Sequence, residues 1–171
     1  KKAFDQKTWD SAKKLYQEAS GIKPSERDPK DRIIQIDGIV ANEKSAEENY
    51  ANLIKEGEES LTSKDYDKAI DKYNAALQIK PLEQLPKQQI KKAQELKAEA
   101  ERLAQLDNQY NSIISKADKF FNDALYNEAK NEYQQALKIK SNEQYPNDQL
   151  IAIAAKLKEI EDNRIQQEEN K

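Results

Sequence analysis

Three lysines and three glutamates recur at matching positions along the chain, and they are its best candidates for a polar binding site. Each lysine is followed three residues later by a glutamate, which gives the pairs Lys23 and Glu26, Lys80 and Glu83, and Lys140 and Glu143. A lysine at a helix end interacts with the free carbonyl groups there, and a glutamate before the next helix can pair with it. The spacing favours a structural role, and a repeated interaction site is the alternative.

Acidic residues in the stretch DYDKAID, residues 65–71, could bind calcium. The stretch lacks the loop glycine and the terminal bidentate glutamate that calcium loops use. Asp65, Asp67 and Asp71 are therefore interpreted as acids that favour the positive end of a helix dipole.

Residue types that carry most enzyme chemistry are missing from the chain. There is no His to act as a base or metal ligand and no Cys to act as a nucleophile. The three glycines are not clustered, so no phosphate-binding loop is predicted. We expect a protein that is not an enzyme and that has no cofactor and no metal site.

Aromatic residues and alanines form a repeated pattern, aromatic-x-x-Ala-x-x-x-Tyr-x-x-Ala. Its spacings of three, four and three place every member on one stripe of a helix, where small alanines let a neighbouring helix approach closely. The aromatic members could be stacking platforms for a ligand, but regular repetition with alanine favours core packing. They are Trp9, Tyr16, Tyr66, Tyr73, Tyr126 and Tyr133.

The pattern belongs to an internal repeat. Residues 50–106 align with residues 110–166 at an offset of 60, which places Tyr73 on Tyr133 and Pro86 on Pro146. An additional copy is offset by 57 and begins near Trp9. We divide the chain into a partial first copy (1–49), a second copy (50–109) and a third copy with a C-terminal helix (110–171).

The elements that position these residues are predicted to be helices of two lengths. Short helices are predicted at about 8–22, 65–79 and 125–139, and a proline follows each one after a turn. Single long helices are predicted from Pro29 to Leu61 and from Pro86 to Phe121, with a last helix from Pro146 to about Ile165. Each proline is expected at the first helical position, where its missing N–H would be unpaired anyway.

Charge and hydropathy restrict the possible partners. The 29 basic and 32 acidic residues are interleaved, and mean hydropathy is −1.10. A nucleic-acid partner is not expected because phosphate binding needs a concentrated basic face. No apolar stretch is long enough for a transmembrane helix, so no membrane insertion is expected. The chain begins with Lys-Lys and no Met, and we expect it to be an excised fragment.

Each short helix resembles helix B of the tetratricopeptide repeat. Ala69, Tyr73, Ala76 and Pro81 match its pattern, and Gly57 matches the helix A glycine, whereas the third copy has Ser141 for the proline and Ala117 for the glycine. Ordinary members repeat every 34 residues, but these copies repeat at 57 and 60. The lysine and asparagine clamp with which some members bind peptide C-termini is not rebuilt here.

These observations predict an all-α fold of elongated tandem three-helix bundles that share long continuous helices, similar in architecture to a spectrin-type rod. The copies also resemble repeats of cell-envelope proteins in Bacteroidetes-type bacteria, which implies a periplasmic or surface location rather than the cytoplasm. We expect a monomeric, non-enzymatic spacer or scaffold with protein partners. The alternative is a tetratricopeptide-like adaptor that binds a peptide in a groove, with the long helices broken near Gly38 and Asn108.

Overall fold

The fold is all-α, as the sequence predicts. The computed structural model describes residues 6–170, and within that range the chain forms six helices and no strand. They are α1 (Gln6–Ile22), α2 (Asp28–Thr62), α3 (Tyr66–Ile79), α4 (Gln84–Asn122), α5 (Tyr126–Ile139) and α6 (Gln144–Glu169). The three short and three longer helices lie where the repeat places them. Both long helices run without interruption through the residues at which a break was considered, Gly38 and Asn108.

The prolines lie deeper in their helices than the sequence analysis expects. Pro29 is the second residue of α2, and Pro86 and Pro146 are the third residues of α4 and α6. The prediction of the first position was wrong, but its physical reason extends to the whole first turn, where backbone N–H groups have no partner within the helix. All three prolines are buried, so they also serve as core residues.

The turns after α2 and α4 repeat one backbone geometry. Lys64 and Ala124 have φ values of 62° and 59°, in the left-handed region. The next residue in each turn reaches back to the helix: the N–H of Asp65 donates to the Ser60 carbonyl and that of Leu125 to the Phe120 carbonyl, both at 2.9 Å. These bonds satisfy carbonyls at the helix end and reverse the chain into the next short helix.

Two compact units divide the chain between Lys97 and Ala98. In the first unit, α1 packs on α2 and α2 packs on α3. The helical stripe of α3 is buried completely at Ala69, Tyr73 and Ala76, which confirms its interpretation as core. The copy boundaries at 49/50 and 109/110 describe sequence similarity and stay a prediction.

The second unit has an equivalent core. Ala117 of α4, Ala129 and Tyr133 of α5, and Ile153 of α6 form a cluster in which each residue is at most 1% exposed. Half-buried residues of all three helices pack around it: Ile114, Phe120, Phe121, Tyr126, Leu150 and Leu157. The cluster fixes α5 between the end of α4 and the start of α6.

The first copy is buried less than the other two. Ala12 and Tyr16 of α1 are only half-buried, and Ala19 is exposed, whereas their equivalents in α3 are fully buried. The physical reason is that α2 precedes α3 and can cover it, while no long helix precedes α1 among residues 6–170.

Candidate interaction site

The lysine of the second copy lies against an aromatic ring of the preceding long helix. Lys80 follows the last residue of α3, and its backbone N–H donates to the Ala76 carbonyl at 3.0 Å. Its ammonium nitrogen lies 4.4 Å from the ring centre of Tyr50 and forms an ion pair with Glu47. We call Lys80, Tyr50 and Glu47 the first clasp.

The third copy repeats this arrangement. The Lys140 ammonium lies 4.8 Å from the ring centre of Tyr110 and 2.8 Å from Asp107 Oδ1. The hydrogen bond to Asp107 raises the pKa of Lys140 above its usual value. We call Lys140, Tyr110 and Asp107 the second clasp. In each clasp the lysine joins the end of a short helix to the long helix before it.

The sequence predicts that each candidate glutamate pairs with its lysine, and this holds in the first copy but not in the other two. Lys23 does pair with Glu26, at 3.0 Å, and both side chains are exposed. In the other copies the lysine pairs with an acid of the long helix instead. Burial raises the pKa of the Tyr110 phenol, and the negative charge of Glu143 raises it further while Lys140 lowers it. Glu143 therefore lies near the second clasp, whereas the ion pair with Lys140 is formed by Asp107.

Sequence reasoning missed the aromatic and acidic members of both clasps. A signal was present, because the tyrosine stands 30 residues before the lysine and the acid 33 residues before it in both the second and third copies. The clasps use Lys80 and Lys140 in contacts within the chain, which supports the structural interpretation for these two lysines.

Asp65 and Asp67 also make contacts within the chain. The Asp65 carboxylate accepts a hydrogen bond from the Lys68 backbone N–H at 3.3 Å and so caps the start of α3. Asp67 Oδ1 lies 2.5 Å from the ammonium of Lys97 in α4. Within residues 6–170, no group of three or more acidic, His or Cys side chains is arranged to hold a metal ion.

A hydroxyl network lies in the second unit. The Tyr133 hydroxyl donates to Asp118 Oδ1 at 2.6 Å, and the Tyr145 hydroxyl donates to the same oxygen at 2.8 Å. The two rings meet edge to face with centres 6.3 Å apart. Burial raises the pKa of Tyr133, and its hydrogen bond to Asp118 raises it further.

The first unit lacks this network. Tyr73, the equivalent of Tyr133, is fully buried, and its hydroxyl has no hydrogen-bond partner. Glu58 stands at the position of Asp118, and Leu85 stands at that of Tyr145. Tyr73 lines a cleft of about 360 Å³ whose other walls are Glu58, Leu61, Thr62, Gln89, Lys92 and Leu96. Burial raises the pKa of Tyr73, as does the charge of Glu58.

No helix in the part of the chain from residue 6 to residue 170 combines the length and apolarity needed to cross a bilayer. Comparison with known proteins adds no family: no protein-family model, no curated protein and no solved structure matches the chain.

Proposed function

We propose that the chain is a non-enzymatic helical-repeat spacer that holds other parts of a larger protein apart. The single observation that carries the proposal is the length of α4. This helix runs without interruption for 39 residues, from Gln84 to Asn122. At a rise of 1.5 Å per residue it is about 58 Å long, and that length favours a spacer.

The contacts of the candidate site support a structural role. Lys80 and Lys140 are held in the two clasps, each between a ring and a carboxylate of the same long helix. A spacer needs such ties, because each short helix must stay fixed to the long helix before it. The absence of His and Cys from the whole sequence supports a role without catalysis. We expect a cell-envelope location from the resemblance of the repeats.

Small-angle X-ray scattering on the 171-residue chain tests the proposal. If each repeat advances by about 30 Å, three advances give a maximum dimension of about 100 Å. A particle with a maximum dimension of about 50 Å, as for a compact domain of this size, would rule the spacer out.

A proline in α4 makes the scattering test sharper. Ala100 is exposed in the middle of α4, and Ala100→Pro removes a backbone donor and clashes with the preceding turn, so the helix should kink. Ala100→Gly is the matched control because it keeps the N–H. We expect the maximum dimension to fall for the proline variant only. Equal scattering curves for both variants would show that the dimension does not depend on a straight α4.

The adaptor hypothesis has less support. It expects the long helices to break near Gly38 and Asn108, and both helices continue through these residues. The spacer is therefore the function that the geometry supports best.

A further inference from the structure

The equivalent buried tyrosines of the two units differ in their hydrogen bonding. In the second unit the Tyr133 hydroxyl donates to Asp118, whereas in the first unit the Tyr73 hydroxyl is buried without a partner. A buried polar group without a hydrogen bond is unfavourable, and such groups are uncommon in proteins. Tyr73 lines a cleft that also has polar side chains in its walls, so a ligand that enters the cleft can supply the missing bond.

Tyr145 indicates the chemistry of that ligand. Its phenol donates to the carboxylate that Tyr133 also uses, and its ring packs edge to face on Tyr133. The first unit has a carboxylate at the matching position, Glu58, but has Leu85 in place of Tyr145. The first unit thus has a carboxylate and a buried tyrosine at the matching positions and has no second phenol beside them.

We infer that the cleft at Tyr73 binds a phenol, presented by a tyrosine side chain of a partner protein. The phenol O–H donates to the Glu58 carboxylate, and the phenol oxygen accepts the hydrogen bond for which the Tyr73 hydroxyl has no partner in the chain. The ring packs against Tyr73 as that of Tyr145 does against Tyr133. Leu61 and Leu96 of the cleft contact the apolar part of the ring. Glu58, Lys92 and Leu96 are exposed side chains, so they can move as the phenol enters.

The charges of the cleft suit a neutral ligand. Glu58 and Lys92, one acid and one base, are its charged lining residues, so the lining has no net charge that would select an anion or a cation. A phenol combines an O–H donor with a flat apolar ring, which matches the carboxylate and the two leucines. This inference goes beyond the spacer role, since the chain can bind a phenol whether or not it is extended.

The first experiment is an NMR titration of the full 171-residue chain with p-cresol, the tyrosine side chain alone. We expect saturable shifts of the amide signals of Tyr73 and Gln89. Toluene, which lacks the hydroxyl, should bind about fivefold more weakly because it cannot make the hydrogen bond. Equal affinities for the two compounds, or no saturable shift in this cleft, would overturn the inference.

The source of the phenol is tested with N-acetyltyrosinamide, which carries the side chain on a peptide backbone. Binding at the same residues supports a partner's tyrosine. If p-cresol binds there and N-acetyltyrosinamide does not, the assignment to a partner's tyrosine is overturned.

Two exchanged residues provide matched controls. Leu85→Tyr places a tyrosine at the position that Tyr145 has in the second unit. Its phenol should occupy the proposed site and abolish p-cresol binding at Tyr73. Leu85 is 42% exposed, so the substitution should be tolerated. Tyr145→Leu should open an equivalent site, and p-cresol should then shift the amide signal of Tyr133. If Leu85→Tyr leaves p-cresol binding unchanged, the equivalence of the two units is wrong and so is the inference.

Discussion

Gly57 of α2 and Tyr73 of α3 are in direct contact: a Cβ added to Gly57 would lie 2.7 Å from the Cε1 atom of the Tyr73 ring. Real Cβ atoms do not approach other atoms so closely, so Tyr73 occupies space that only glycine leaves free. The third copy has Ala117 at this position, together with a buried Tyr133. The two rings therefore cannot lie in the same place relative to their long helices.

Gly57→Ala should destabilise the first unit. Overpacking of a core typically costs about 1–3 kcal/mol, which exceeds the gain of about 1 kcal/mol from replacing a helical glycine. Gly38→Ala is the control on the same helix, because a Cβ there meets nothing within 4 Å, and it should raise stability by about 1 kcal/mol. Urea denaturation measures both. Equal gains in the two variants would mean that the Tyr73 ring moves aside at no cost.

Ala76→Glu should destabilise the chain severely. Ala76 is fully buried on the stripe of α3, so the substitution forces a charge into a close contact between helices. We expect a loss of about 4 kcal/mol or more in the free energy of unfolding. Asn74→Glu adds the same charge at an exposed position of the same helix and should change it by less than about 0.5 kcal/mol. Similar melting of the two variants would show that α3 presents another face to the core.

Lys140→Met should lower the melting temperature of the second unit. Methionine keeps most of the apolar side chain but loses the attraction to the Tyr110 ring and the ion pair with Asp107. The difference in melting temperature between Lys140→Met and the unsubstituted chain should become smaller at high salt, because ions screen the exposed part of the ion pair. Lys23→Met is the control, since the Lys23 partner is Glu26 in an exposed pair. A larger loss for Lys23→Met would contradict the role of the second clasp.

Ala124→Gly should stabilise the turn after α4. Ala124 has a φ of 59°, a conformation that costs an ordinary residue about 1–2 kcal/mol and that glycine adopts freely. Part of the gain is offset by the flexibility of glycine in the unfolded chain, so we expect a net gain of about 0.5 kcal/mol. Ala155→Gly, on the exposed side of α6, should instead cost about 1 kcal/mol. Thermal melting distinguishes the two, and a loss in both variants would contradict the importance of the left-handed conformation.

Helix positions could be predicted from the sequence because the apolar residues that become buried recur at the spacing of one helix face. Tyr73, Ala76 and their equivalents recur at helical spacing, and a helix that buries one face must follow that spacing. The depth of Pro86 within α4 was not predictable in this way, because any position in the first turn tolerates a missing N–H.

The clasps and the hydroxyl network depend on contacts between helices, and the spacing of apolar residues along the sequence does not predict which side chains of two helices meet. Lys80 meets Tyr50 only because α3 folds back along α2, and the two residues are separated by the last part of α2, a turn and the whole of α3. The surroundings of Tyr73 and Tyr133 differ by single exchanges, Glu58 for Asp118, Leu85 for Tyr145 and Gly57 for Ala117. An alignment of the copies shows these exchanges. Their effect on the hydrogen bonding of the Tyr73 hydroxyl can be determined only from interatomic distances.

Alkaline pH should weaken the second unit through Tyr133. Burial and the hydrogen bond to Asp118 raise the pKa of Tyr133 above that of an unfolded tyrosine, which is about 10. The folded state therefore keeps this proton at a pH where the unfolded chain loses it. The stability linked to this proton is fully present below about pH 10 and falls above it by about 1.4 kcal/mol per pH unit.

Tyr133→Phe isolates this contribution. At neutral pH the variant should be less stable by about 1 kcal/mol, because it lacks the hydrogen bond and leaves Asp118 with one donor fewer. One pH unit above the ordinary tyrosine pKa, the deficit should disappear, because phenylalanine has no proton to lose. Urea denaturation of both proteins at the two pH values measures the difference, and titrating groups that do not interact with Tyr133 cancel in the comparison. A deficit that stays constant would mean that the Tyr133 hydroxyl ionises as readily in the folded chain as in the unfolded one.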